Sequence, residues 1–533
     1  MPEYLAPGVY IEEVSFRSKS IEGVSTSTAG FVGPARFGPI GSHPCVLTSL
    51  QEFERAYGDG GQLVFSNAGQ VHNYLWHAVR AFFAEGGRRL YVARIFLARG
   101  NDDDGVAGCR LPAEGGGAAS LGLRARFPGA AGNFLVRFTI RPGANAIAVK
   151  VLLNDGSVRA WHDLPTDPAG LRAVVSTFHD TLPFTITPED GITDDPDVLN
   201  ALLTAKPSLR AALDNPHSTE SDRSVDVMLA GGNDGARPTS AAFQGTHDGQ
   251  AKTGLQALEN VEEISIVAAP GATSGYLGGY MDEADRVNGQ LIAHAERMRY
   301  RVAVLDSGDG LNASEVRDMR DKVDSKSATL YYPWVRIRDP ITGKDIDLPP
   351  SGFIAGIYSR NDIEKGVSKS PANEVVNLAT GLESLLTDAE QQALNAEGID
   401  CLCTFVGRGV VVWGARTTSS DPEWKYLSVR RYLAYLERSI DRGMQWTVFE
   451  PNAEGLWAMV QRNIEDFLLN EWRAGALVGN KPEMAFFVRC DRSTMSQNDL
   501  DNGRLICLIG VAPARPAEFV IVRIGLCTAD KAD

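Results

Sequence analysis

Hydrophobic and polar positions along this chain follow two periods, and the switches between them mark its elements. The first 25 residues carry no helical stripe: Pro2, Pro7 and Gly8 lead into the β-prone run Val9-Tyr10-Ile11, which ends in acids. A terminal strand with nothing local to pair against finds its partner elsewhere. Ala29–Gly33 reads as a strand, and Leu75, Val79, Phe82 and Phe83 then fall at helical spacing. Gly86-Gly87 stops that helix, and Leu90–Ile95 is the next strand. Past Phe96 the period becomes two. Phe134, Val136, Phe138 and Ile140 form one half-buried strand; Ile147, Val149, Val151 and Leu153 form another, which Asp155-Gly156 turns into Val158. From about residue 240, helices alternate with short apolar runs: Thr253–Leu258 before Ile264–Val267, and Ala284–Arg299 before Val302–Leu305. That alternation predicts a largely parallel sheet. Two amphipathic helices follow. The first covers about Glu423–Arg442, with Tyr426, Val429, Leu433, Leu436 and Ile440 as its stripe; the second covers about Ala453–Ala474, with Leu456, Val460, Ile464, Phe467 and Leu468 inward. The apolar run Leu505–Val511 and the tail Phe519-Val520-Ile521-Val522 with Ile524 give a second strand-forming terminus.

These shifts predict an α/β multidomain chain. An arm spans 1–25, the first part of a core 26–96, an inserted β-rich module 97–237, an α/β middle 238–375, a C-terminal core domain 376–514, and a closing arm 515–533. Its 533 residues agree with about three to four domains. The net charge of −15 argues against a main task of gripping nucleic acid or an anionic membrane, which needs a basic surface. The longest apolar run, Leu505–Ala514, is too short to span a bilayer, which needs about 20 residues. Met1-Pro2-Glu3 does not open like a secretory signal, so a cytosol-made protein is expected. The seven cysteines, among them Cys490 and Cys507, are spread along the chain, and several sit in apolar strand-like runs where they read as small hydrophobes; Cys401-x-Cys403 lacks the spacing of a redox or zinc pair.

Candidate chemistry is tested first at Asp306. Val302–Gly308 resembles the strand-end aspartate motif of subtilisin-like proteases, but all eight histidines precede Asp306, and a serine nucleophile without its base is inert. A related α/β scaffold without the triad stays open. No G-x-x-x-x-G-K-[ST] or H-E-x-x-H occurs, and Gly407-x-Gly409 runs on into the strand-like Val410–Trp413 rather than a helix. No catalytic, cofactor or metal residue is expected. One surface pattern stands out: Arg431, Tyr435, Arg438 and Arg442 recur at helical spacing opposite the apolar stripe of the first late helix. This ridge is either a solvated helix face or a docking surface for an acidic partner.

Taken in order, these landmarks resemble the contractile tail sheath proteins of phage tails, tailocins and phage-like contractile injection systems. Pro7–Glu13, Gly30–Gly33, Phe82–Gly87 with Tyr91–Arg94, Tyr331–Trp334, Pro349–Gly352 with Ala355-Gly356, Ser370–Asn373, Val412–Thr417, Val429–Arg431 and Pro516–Gly525 carry the resemblance; the insertion adds little beyond Phe127–Gly129. It implies a subunit of stacked hexameric rings around an inner tube, with baseplate and terminal cap proteins as further partners. It also implies that the arms, through Val9, Tyr10, Ile11, Phe519, Val520, Ile521, Val522 and Ile524, add strands to neighbouring subunits. Contraction would drive the tube through a target envelope without cofactor, nucleic acid or membrane insertion. The 376–514 domain would lie near the tube, with Arg431, Arg438 and Arg442 facing it. Assembly would take place in the bacterial cytoplasm, with the particle released afterwards. The readings from other classes are a static shell or surface-layer lattice, and an α/β hydrolase.

Overall fold

The computed structural model describes residues 20–41, 44–100, 103–111, 121–141, 146–152, 158–165, 183–188, 198–248 and 251–518. Two compact units account for them. Thr26–Arg430 form the larger; the described residues before Thr26 and after Arg430 form the smaller.

The larger unit is organised by an eight-stranded sheet. Its strands are β1 (Thr28–Pro34), β2 (Val46–Leu47), β3 (Arg89–Ile95), β4 (Ile266–Ala268), β5 (Val302–Asp306), β6 (Ala328–Tyr332), β7 (Ile399–Phe405) and β8 (Gly409–Val412), in the spatial order β2-β3-β1-β4-β5-β6-β7-β8. The six central strands run parallel, and the two edge strands β2 and β8 are antiparallel to their neighbours. Successive side chains point to opposite faces. Phe31, Val302 and Val304 therefore join one core with helices α1 (Tyr74–Ala84) and α3 (Ser351–Lys365), while Val32, Ala303 and Leu305 join a second with α2 (Met281–Met298). Helices on both faces explain why these strands read as continuous apolar runs.

The expected boundary at residue 376 is not where this unit ends. Leu330 pairs with Ile399, so β7 and β8 complete the sheet, and the division falls after Arg430. Gly407 and Gly409 adopt positive φ in the β7–β8 turn, which a hairpin requires and a phosphate-binding helix start would not use.

The inserted module is a β-rich lobe with a core of its own. The strands Leu135–Ile140, Ala146–Leu152, Val158–Pro165 and Ser224–Met228 form one antiparallel sheet; Gly108–Leu111, Leu121–Ala125 and Phe184–Pro188 form another. Phe134, Val136, Phe138, Ile147, Val149 and Val151 are buried, as their alternation predicts, and Phe37 packs edge-on against Phe127 and Phe134. Leu153 and the Asp155-Gly156 turn lie outside the described residues. The helices Val198–Ala205 and Ser208–Asp214, which supply Leu202 and Leu209 to this core, escaped the periodicity reading.

Two motifs that carry the family resemblance have a packing explanation. A Cβ on Gly352 would lie 2.6 Å from the Ala78 Cα, and one on Gly356 would lie 2.6 Å from the Phe82 carbonyl oxygen. These glycines, one helical turn apart, let α3 approach the backbone of α1. At the end of α1, Glu85 is fully buried and accepts hydrogen bonds from Arg360 (3.0 Å), the Asn377 backbone N–H (2.7 Å) and the Asn377 side-chain amide (2.9 Å). Gly86 then breaks the helix with φ +101°.

Asp306 ends β5, is buried, and caps α3 across the sheet. Its two carboxylate oxygens accept from the Ser351 N–H at 2.7 Å and the Ser351 hydroxyl at 2.6 Å. Burial pushes the carboxyl up to about 7 from an ordinary 3.8, against the pull of the two Ser351 bonds. The fold thus retains a proton that the unfolded chain releases. This contribution to stability is complete below the ordinary value and is lost as pH rises towards 7. Asp306→Asn should cost about 1 kcal/mol or less at low pH, where the neutral carboxyl and the amide each offer Ser351 one strong acceptor. Relative to the wild type the variant should gain between about pH 4 and 7, because only the wild type loses stability by titration there. Urea midpoints at several pH values check this; a pH-independent deficit would mean the carboxylate is ionised throughout.

Candidate functional site

The smaller unit is built on two helices, α4 (Leu427–Met444, of which it holds the residues from Arg431) and α5 (Glu454–Arg473), and a hairpin of β9 (Phe486–Arg489) with β10 (Leu508–Val511). Leu456, Val460, Ile464, Phe467 and Leu468 of α5 are buried, the stripe predicted for it. Tyr432 and Tyr435 stack on α4, and both donate to the Glu471 carboxylate, at 3.1 and 3.0 Å. Burial, with Glu471 beside them, holds both phenols above their ordinary range, so they stay neutral donors at any working pH.

The buried arc of α4 is rotated from the predicted stripe. It includes Ser428, Tyr432, Leu436 and Ser439, while Leu433 and Ile440 are half-buried. On the later turns of α4 the segment Ser20–Ser25, which belongs to the same unit, covers part of this arc. Val24 donates its N–H to the Ser439 hydroxyl at 3.1 Å. Ile21 is buried, and a Cβ on Gly443 would meet it at 2.8 Å; a Cβ on Gly23 would meet the Tyr435 hydroxyl at 2.2 Å. Tyr435, Ser439 and Gly443, successive turns of one face, form the bed for this extended segment. Sequence reading missed that role, because serine and glycine score as polar or neutral and their partner lies more than 400 residues away.

This rotation corrects the basic ridge. Arg431 is buried, Arg438 is half-buried, Arg442 is exposed, and Tyr435 is engaged by Glu471. The four positions flank the buried arc instead of opposing it, so they do not form a solvated stripe.

β9 and β10 make a two-stranded sheet with no third strand among the described residues. Val488 faces inward, and Phe487, Leu508 and Ile509 are exposed. Its outer strand edges meet no further strand among the described residues and lie beside an apolar surface, which is where an added strand would pair. The arm residues Val9, Tyr10, Ile11, Phe519, Val520, Ile521, Val522 and Ile524 lie outside the described residues.

Comparison with known proteins decides the family. Residues 246–418 match the phage tail sheath protein central domain, and residues 419–526 match the phage tail sheath C-terminal domain, in series and together over more than half of the chain. The chain belongs to the tail sheath protein family. Its larger unit thus carries the whole central sheath domain, and its smaller unit most of the C-terminal one. A prophage major tail sheath protein of Pseudomonas aeruginosa is 24% identical over 310 residues, covering 56% of this chain and 76% of that one. Among solved structures, the helical sheath of the anti-feeding prophage in its contracted state is 24% identical, with a TM-score of 0.56 over 98% of this chain and 99% of that one. The sheath complex of an extracellular contractile injection system, also contracted, is 20% identical, with a TM-score of 0.57 over 100% and 99%. Both likenesses run over nearly the whole length of the chain and support a shared overall fold. No helix among the described residues is long and apolar enough to cross a membrane.

Proposed function

We propose that this chain is a structural sheath subunit that polymerises as stacked hexameric rings around an inner tube and contracts to drive the tube through a target envelope. The observation that carries the reading is the pair of sheath domains matched in series. The hairpin β9–β10 supports it, because its open strand edges and exposed Phe487, Leu508 and Ile509 suit strand addition by the arms of neighbouring copies. Similar chains are described within contracted sheaths and a baseplate, which favours self-assembly and baseplate attachment here; an inner tube protein and a terminal cap complete the partner set. Assembly would occur in the bacterial cytoplasm, with the particle released later. The parallel-sheet middle serves as a rigid block on a subtilisin-like scaffold, and Asp306 acts there as a helix cap. The β-rich lobe is the outward module, and the residues after 376 are tube-proximal.

The energy for contraction would be stored at assembly as the difference between two packings of one chain. Electron microscopy of the protein assembled on its tube partner should accordingly show two helical lattices, one long and narrow, one short and wide. A single lattice would favour a static shell. Within this reading Arg438 and Arg442 carry the contact to an acidic tube surface, with Arg431 shaping it from inside. Arg438→Glu with Arg442→Glu should lower the share of extended particles by about tenfold, if each contact contributes roughly 0.5–1 kcal/mol and acts along a polymer. Unchanged yields would remove the ridge from the mechanism.

A further inference from the structure

The hairpin of the smaller unit also sets up a chemical modification. Its antiparallel register runs Phe486↔Val511, Phe487↔Gly510, Val488↔Ile509 and Arg489↔Leu508. Continued by one residue, it places Cys490 directly opposite Cys507. Directly opposed residues of an antiparallel pair have Cα atoms about 4.5 or 5.5 Å apart, depending on the hydrogen-bonding of the pair. Both distances fall in the range that a disulfide spans, and opposed side chains point to the same face. Cys490 is buried on the face that carries Val488, its N–H donating to the Gln461 side chain of α5 at 3.3 Å, while Cys507 is half-buried. The two thiols are within hydrogen-bonding reach of each other, and both are free. The 16 residues between them fold back through their own contacts, including the Thr494 hydroxyl donating to the Ile506 carbonyl at 2.7 Å and the capped helix Gln497–Asp501.

We infer that Cys490 and Cys507 are a built-in cross-strand disulfide site, reduced in a reducing cytosol and closed by a low-molecular-weight disulfide such as oxidised glutathione. Cys507, the more accessible, attacks first as its thiolate: its sulfur bonds to one glutathione sulfur, and the other leaves as a thiolate. The Cys490 thiolate then attacks the Cys507 sulfur, the bond to glutathione breaks, and a second glutathione thiolate departs. The two protein thiols have lost two protons and two electrons, and the oxidant has become two molecules of reduced glutathione. The resulting bond staples β9 to β10 at the end away from Phe486 and Val511 and closes the 491–506 loop.

The surroundings make this closure slow. Burial, with the neighbouring Cys490 and with Glu465 of α5, pushes the Cys507 thiol up to about 12. Burial, with Asp491 adding to it, raises that of Cys490, although its bond to Cys507 opposes the rise. With so little thiolate at neutral pH, the rate should climb about tenfold per pH unit between roughly pH 7 and 9.

The test is made on the full-length chain, treated with oxidised glutathione near pH 8.5, alkylated and digested with trypsin. Cleavage after Arg489, Arg492 and Arg504 puts the two cysteines on different peptides, so a linked peptide identifies the bond. The expected result is that linked peptide, a raised melting temperature that returns on reduction, and neither effect in Cys490→Ser or Cys507→Ser. Exposed Cys45 serves as the internal control for oxidant activity. The inference is overturned if Cys45 is fully glutathionylated while Cys490 and Cys507 are still alkylated. It is equally overturned if either one is linked to a different cysteine. Both readouts use unassembled chain, so they stand or fall apart from the sheath function.

Discussion

Removing residues 1–19 should leave a chain that folds and melts like the full-length protein but builds no tubes. The cut is set by the structure. Ile21 is buried beside Gly443, and Val24 is hydrogen-bonded to Ser439, so a cut beyond Ser20 would remove part of the smaller unit's own packing. A cut at 19 leaves those contacts in place and takes away Val9, Tyr10 and Ile11. One added strand is held by a handful of main-chain bonds, each worth about 1 kcal/mol net. Across a lattice in which every subunit is linked to several others, losing that strand should raise the protein concentration needed for assembly by roughly a hundredfold or more. Thermal unfolding, together with negative-stain microscopy across a concentration series, checks both halves of this expectation. Tubes at wild-type concentration would show that the N-terminal arm is not the link. A chain that no longer melts cooperatively would show that residues 1–19 belong to the fold itself.

Glu85→Ala should be the most damaging single change in the larger unit. The carboxylate has no access to solvent, and it gathers Arg360, the Asn377 backbone and the Asn377 side chain, elements nearly 300 residues further along the chain. Truncation leaves a mostly buried guanidinium without that partner and an inward-facing N–H without an acceptor. Removing one member of such a pair costs about 3–5 kcal/mol. Glu85→Gln keeps the shape and one acceptor oxygen and should lose markedly less. Urea denaturation of the two variants provides the comparison; equal and small losses would mean that water replaces the carboxylate.

Periodic segments were legible from sequence. The alternation over 134–151 and the stripe of α5 gave the right faces, because burial there is decided by the hydropathy of the side chains themselves. The tail sheath assignment was legible too, since it rests on landmarks spread from residue 7 to 525. Features decided by a distant partner were not. Ser439 and Gly443 lie on the side of α4 along which the N-terminal segment passes, and Arg431 falls in the run Leu427–Tyr432 that is buried on every face. Gly352, Gly356 and Glu85 were recognisable as parts of motifs, but their physical task, close contact between α1 and α3, depends on the pairing of two helices. The boundary expected at 376 differs from the division after Arg430 for a related reason: Ile399–Phe405 can be assigned to the larger unit's sheet only once its register with β6 is known.

The bed for Ser20–Ser25 also imposes an order on biosynthesis. Val24 leaves the ribosome early, but Ser439 follows 415 residues later, roughly 20 to 80 s at ordinary rates of synthesis. Until then the leading segment has no Tyr435, Ser439 or Gly443 to lie on. A nascent or truncated chain therefore cannot seat its amino-terminal segment as a finished one does, and completion of translation becomes a checkpoint that incomplete subunits fail.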